Sequence, residues 1–287
     1  MNASIILCTY NRASTLSRAL ESLSDLDVPA GLDWELLVVD NNSTDDTRAI
    51  VERVAAEARL PCRYLFEPSQ GKSFALNTGI AQALGQVLVF TDDDVTFDRG
   101  WLRALLAAFD APDCAGVGGQ IVPVWPAPPP RWFSDTGPYR LLPAVVGYRF
   151  DTSGPVIRPP YGANMAYRRV MFDRYGRFRT DISPRGRERI PGEDTEFGRR
   201  VLNGGEQVIY VPGAIADHPV EARTDETALL RAVLLRGGAD ADSGLSPSPR
   251  HGPLARYPAL PLPGARGAPV PVGDFSESAC ARLPPVL

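Results

Sequence analysis

Lysine is almost missing from this chain. Lys72 is the only one among 287 residues, and arginine supplies the rest of the positive charge. The skew fits a GC-rich coding sequence better than a function. Long apolar runs are missing too. None approaches the ~18 residues of a membrane-crossing helix, so no such helix is expected. Excess positive charge is lacking: the net charge is −4, which implies no general attraction to nucleic acid or to anionic membrane. The four cysteines, Cys8, Cys62, Cys114 and Cys280, are far apart and form no CxxC pair. That argues against a zinc site or a disulfide framework and fits a reducing compartment. A strand begins by Ser4 with no charged and apolar leader before it, so no signal peptide is expected and a cytoplasmic location is the default. Familiar phosphate loops fail on spacing. Gly71-Lys72-Ser73 looks like the tail of a P-loop, but the required first glycine would fall on Phe66. Gly116-Val-Gly-Gly119 lacks the GxGxxG spacing. No Ser-His-Asp or Cys-His arrangement suggests a covalent nucleophile.

What is present is alternation. Apolar runs at Ser4–Cys8, Glu35–Val39, Arg63–Phe66 and Val87–Thr91 read as buried strands. Between them, Leu16/Leu20/Leu23, Ile50/Val54/Ala58 and Phe74–Leu84 read as helices, the last stopped by Gly85. This β-α order predicts an α/β fold with a mostly parallel central sheet flanked by helices. Further on, Trp101–Phe109 reads as an amphipathic helix and Gly116–Val122 as a strand. Five prolines lie between Pro123 and Pro130, followed by Trp132-Phe133, an aromatic pair that either lines a cleft or packs the proline run down. Tyr161–Tyr167 reads as a strand, Arg168–Phe172 as a short helix, and Glu193 opens a helix ended by Gly204-Gly205. Gln207–Val211 reads as the final strand, stopped at Pro212.

Chemistry concentrates at strand ends. Val87–Thr91 runs straight into Asp92, Asp93 and Asp94. Three adjacent carboxylates repel one another unless a cation relieves them. A solvated turn is the ordinary reading of such a triplet. The alternative is a hard divalent cation bridging carboxylates and phosphates at the carboxyl end of a sheet. Thr9 and Asp40 end the first and second strands on that same edge. Glu193 and Asp194 open a helix, where acids are favoured as caps in any case. His218 follows the last strand and reads as either a satisfied polar residue or a ligand.

Taken in order, several fragments resemble family 2 glycosyltransferases of the GT-A fold. They are Ser-Ile-Ile-Leu-Cys-Thr-Tyr-Asn-Arg at 4–12, Val-Val-Asp-Asn-Asn-Ser-Thr-Asp-Asp at 38–46 and Gly-Lys-Ser-Phe-Ala-Leu-Asn-Thr-Gly at 71–79. Thr-Asp-Asp-Asp at 91–94, Gly-Ala-Asn-Met-Ala at 162–166, Gly-Glu-Asp-Thr-Glu at 192–196 and His218 complete the set, across roughly 1–220. The resemblance implies an inverting transferase using Mg²⁺ or Mn²⁺ and a UDP-, GDP- or dTDP-linked sugar donor. The acceptor would be a glycan or lipid-linked hydroxyl, with no nucleic-acid partner, and peripheral association with the inner face of the cell membrane stays open. It implies donor contacts from Thr9, Tyr10, Asn11, Asp40, Lys72, Asp92 and Asp93, with Tyr10 stacking on the base. Asp94 and His218 are implied as metal ligands, and Asp194, with Glu193 beside it, as the general base. Two other readings are a sugar nucleotidylyltransferase and a catalytically silent nucleotide-sugar-binding protein. The first wants an early Gly- and basic-rich triphosphate loop, which Thr9–Arg12 is not.

Residues 1–236 are expected to form the transferase domain, with a nucleotide-sugar half at 1–122 and an acceptor and catalytic half at 123–236. Residues 237–287 hold 10 prolines and 7 glycines and no periodic apolar face, so an irregular tail is expected, native or frame-shifted.

Overall fold

The computed structural model describes residues 2–129, 146–182 and 192–220. All of these fall within one unit, Met1–Asp242. Trp132-Phe133 and the proline- and glycine-rich tail lie outside the described residues.

The first four strands are β1 (Ala3–Thr9), β2 (Trp34–Asp40), β3 (Cys62–Phe66) and β4 (Val87–Asp92). They pair in parallel in the order β3-β2-β1-β4. Their side chains alternate between two cores, as the two-residue strand period requires. Ile5, Leu7, Leu36, Val38 and Val89 pack on one face with α1 (Ala13–Ser24), α2 (Thr47–Ala56) and α4 (Trp101–Ala107). Ile6, Leu37, Val39, Leu88 and Phe90 pack on the other with α3 (Lys72–Gln82), α5 (Arg169–Tyr175) and α6 (Glu193–Asn203). Burial on both faces is why these strands read as continuous apolar runs.

Beyond β4 the sheet continues through β8 (Met165–Arg168), β6 (Cys114–Val124) and β9 (Gln207–Pro219) to β5 (Thr96–Phe97). β7 (Gly154–Pro155) also pairs with β9. β8 runs antiparallel to both its neighbours, while β6 and β9 are parallel to each other. The two halves expected on either side of residue 122 therefore share one sheet.

Three expectations need correction. Tyr161–Tyr167 is not one strand: Gly162–Asn164 form a single 3-10 turn before β8. Gly85 does not stop α3, which ends at Gln82. A Cβ on Gly85 would lie 2.4 Å from the backbone of Ala3, so glycine there permits the close approach of β1. The last strand does not stop at Pro212. Its register with β6 jumps from Gly119↔Val211 to Gln120↔Ile215, leaving Pro212–Ala214 as a bulge. A proline with no N–H is tolerated in a bulge because no ladder bond is lost. His218 thus lies within β9, paired with Pro123.

Candidate active site

Because β1, β2, β4, β6 and β9 share a direction, their carboxyl ends open on one edge. β8 runs the other way, so it brings its entering turn, Gly162–Asn164, to the same edge. Thr9 stands opposite Asp40, and Cys8 opposite Asp92.

The three acids have different environments. Asp93 is buried and accepts a hydrogen bond from Thr9 Oγ1 at 2.7 Å and one from Arg12 Nη1 at 3.3 Å. Burial raises its pKa to about 6 against the pull of Thr9 and Arg12, with Asp94 and Asp92 adding to the rise. Asp94 Oδ2 accepts from Arg12 Nη1 at 2.5 Å. Asp94 Oδ1 is buried with no hydrogen-bond partner and lies 3.7 Å from His218 Nε2. Asp92 Oδ1 accepts from Lys72 Nζ at 2.5 Å. Burial opposes the charge on Asp92, yet Lys72 holds its carboxyl below the usual range.

Asp92, Asp94 and His218 each offer a ligand atom, and these atoms lie within 4.8 Å of one another. His218 Nδ1 is 3.1 Å from the carbonyl oxygen of Pro219. A carbonyl only accepts, so Nδ1 carries a proton, and Nε2, on the side of Asp94, is the ring atom placed to act as a ligand. Two carboxylates and an imidazole suit a divalent cation such as Mn²⁺ or Mg²⁺. The unpartnered Asp94 Oδ1 is the atom such a cation would satisfy.

The second acidic pair enters from α6. Asp194 Oδ2 accepts from Gly162 N at 2.7 Å, and its Oδ1 from Thr195 N at 2.5 Å. Glu193 is buried, with its Oε1 3.9 Å from Lys72 Nζ. Burial disfavours the Lys72 charge, but Asp92 and Glu193 outweigh it and push its pKa up. Lys72 therefore stands between the triplet and the α6 pair.

The expected nucleoside contacts are placed differently from one another. Tyr10 is 46% exposed on the rim, free to stack on a ring. Thr9 is turned inward onto Asp93. Asn11, at a φ of 50°, ties two loops: its Oδ1 accepts from Thr44 N at 2.7 Å and its own N–H donates to Ser43 Oγ at 2.9 Å. Asp40 is buried and accepts from Ser43 N and Tyr64 Oη, both at 2.8 Å. Sequence reasoning missed Arg12, which bridges Asp93 and Asp94, and Gly162, whose N–H holds Asp194. Arg12 had one available signal, as the only cation in a strand-end loop facing three carboxylates.

A profile of the family described as Glycosyl transferase family 2 matches residues 4–176. The succinoglycan biosynthesis protein ExoM of Rhizobium meliloti is 28% identical over 239 residues, 83% of this chain and 73% of that protein. The glucosyl-dolichyl phosphate glucuronosyltransferase of Haloferax volcanii is 27% identical over 231 residues, 78% of this chain and 72% of that one. Among solved structures, the mannosyltransferase PcManGT of Pyrobaculum calidifontis, in complex with GDP-Man and Mn²⁺, superposes with a TM-score of 0.62 at 23% identity. The match covers 86% of this chain and 66% of that one. At that identity the likeness speaks for the fold, and the family match spans well over half of the chain. The chain belongs to glycosyl transferase family 2, and it is a glycosyltransferase of the GT-A fold.

Proposed function

We propose that residues 1–236 form a metal-dependent, inverting transferase that moves a sugar from a nucleotide donor to a polysaccharide or lipid-linked hydroxyl. One observation carries the donor half: Asp92, Asp94 and His218 converge while the buried Asp94 Oδ1 has no hydrogen-bond partner. Mg²⁺ or Mn²⁺ held there would act as a Lewis acid toward the leaving diphosphate. Tyr10 stacks on the base. Asn11 and Asp40 shape the loops beneath it, and Thr9 and Arg12 hold Asp93 and Asp94 in place. Asp194, oriented by the Gly162 N–H, takes the proton from the acceptor hydroxyl as that oxygen attacks the anomeric carbon. The bond to the nucleoside diphosphate breaks in the same displacement, so the anomeric centre inverts. The names of the two relatives above support a polysaccharide or lipid-linked acceptor, and we place the reaction in the cytoplasm at the inner face of the membrane.

The test is calorimetry with Mn²⁺ and UDP-, GDP- and dTDP-linked sugars. One donor class should bind, and only with Mn²⁺. Asp94→Asn should lose that Mn²⁺-dependent binding, and unchanged affinity would remove the metal assignment.

A further inference from the structure

We propose that Lys72 is a positioning residue that passes from Asp92 to Glu193 when Asp92 engages a cation. Loading the donor side would then draw the start of α6, and with it Asp194, into its working position. The proposal rests on the metal and base assignments above.

Lys72 opens α3 and reaches two carboxylates from different parts of the chain. Its Nζ is 2.5 Å from Asp92 Oδ1 and 3.9 Å from Glu193 Oε1. The asymmetry is the central observation. The ammonium serves as the counter-charge of Asp92, and its contact with Glu193 is the longer of the two. Glu193 meanwhile is only 3% exposed. Among the described residues its side chain accepts one hydrogen bond, a 3.2 Å contact from the N–H of the preceding Gly192. A buried carboxylate so weakly matched gains from any closer positive charge.

The same corner holds Asp194. A Cβ on Gly162 would lie 3.5 Å from Lys72 Nζ and 3.4 Å from Asp194 Oδ2. Glu193 and Asp194 are neighbours on the first turn of α6, so whatever fixes Glu193 also fixes where Asp194 stands. When Asp92 gives its charge to a divalent cation, Lys72 loses its closest partner and is repelled by like charge. Glu193 is then the nearest carboxylate left to it. The side chain also suits the task. An ammonium is a compact point charge with three donors that can swing between partners, whereas a guanidinium is a rigid fork suited to one planar carboxylate. Every other basic residue except the two histidines is arginine, so this corner is the one place in the chain built around an ammonium.

Coupling of this kind is reciprocal: if cation binding strengthens the Lys72–Glu193 contact, losing Glu193 must weaken cation binding. The full-length chain would be titrated with Mn²⁺ alone, following free Mn²⁺ by electron paramagnetic resonance. Glu193→Gln should weaken Mn²⁺ by at least about 5-fold while Lys72 is present. In a Lys72→Met background the same change should matter by less than about 2-fold, the level expected of independent sites. Equal factors in the two backgrounds would overturn the handover. Asp94→Asn separates the layers. If it abolishes Mn²⁺ binding while the factors are equal, only the handover falls. If it binds Mn²⁺ as the parent does, the metal assignment falls and the handover with it. A second measurement needs no change at the buried Glu193. With ¹⁵N-labelled lysine the chain carries a single side-chain ammonium, and its resonance should move on adding Mg²⁺ to the parent but not to Asp94→Asn. An unmoved resonance in the parent overturns the proposal.

Discussion

At the scale of single residues, the site depends on what each oxygen already holds. Asp94 gives one oxygen to Arg12 and leaves the other without a partner. Asp194 has both oxygens on backbone N–H groups, and among the described residues no cation is in direct contact with it. Asp194→Asn keeps the shape and the contact from Gly162 but removes the basicity. Transfer should fall by about 10²-fold or more, the usual worth of a general base, while donor affinity measured by calorimetry stays unchanged. Retained turnover would place the base elsewhere. The triplet alone reads as a solvated turn; these acids stood out only through the ordered fragments that resemble the family. Their partners did not stand out. Arg12 and Thr9 meet Asp93 across 81 and 84 residues, and nothing local in a sequence encodes that pairing. Thr9, expected to touch the nucleoside, has its hydroxyl on Asp93.

At the scale of elements, the turn at Gly162–Asn164 joins the sheet to α6. Asn164 is fully buried. Its Oδ1 accepts from Trp101 Nε1 at 2.8 Å, and its Nδ2 donates to Gln120 O at 2.9 Å and Ala214 O at 2.8 Å. Gln120 and Ala214 flank the register jump between β6 and β9, so a side-chain amide serves carbonyls where the ladder is broken. Asn164→Ala leaves three buried polar groups unpaired at about 1–3 kcal/mol each. We expect the variant to lose about 3 kcal/mol or more in chemical denaturation, and a loss under about 1 kcal/mol would show that water replaces the amide. The bulge was not legible, because Pro212 reads locally as a strand end. The parallel strands were legible, because burial on both faces writes a continuous apolar run into each.

At the scale of the whole molecule, the group of Asp92, Asp94 and His218 draws on the end of β4 and on β9, and the loops around it on β1 and β2. Binding there should therefore resist global unfolding and not only local opening. At a free ligand concentration about 100 times Kd the gain is about 2.7 kcal/mol. A thermal scan should show the melting temperature rising by several degrees with Mn²⁺ plus one of UDP, GDP or dTDP, and not in Asp94→Asn. A rise that survives in the variant would put the binding site elsewhere. The α/β class and the parallel half followed from the sequence pattern, whereas the reversed β8 did not: four residues between a turn and a helix carry no mark of direction. The position of His218 near the end of β9 also has a consequence in time. A chain leaving the ribosome exposes Thr9, Asp40 and the acidic triplet long before His218 exists. Until β9 threads in beside β6, Asp92 and Asp94 stand without His218. On the metal assignment proposed above, an unfinished chain would hold the acids without their imidazole, and metal-dependent transfer would begin only once β9 has been made.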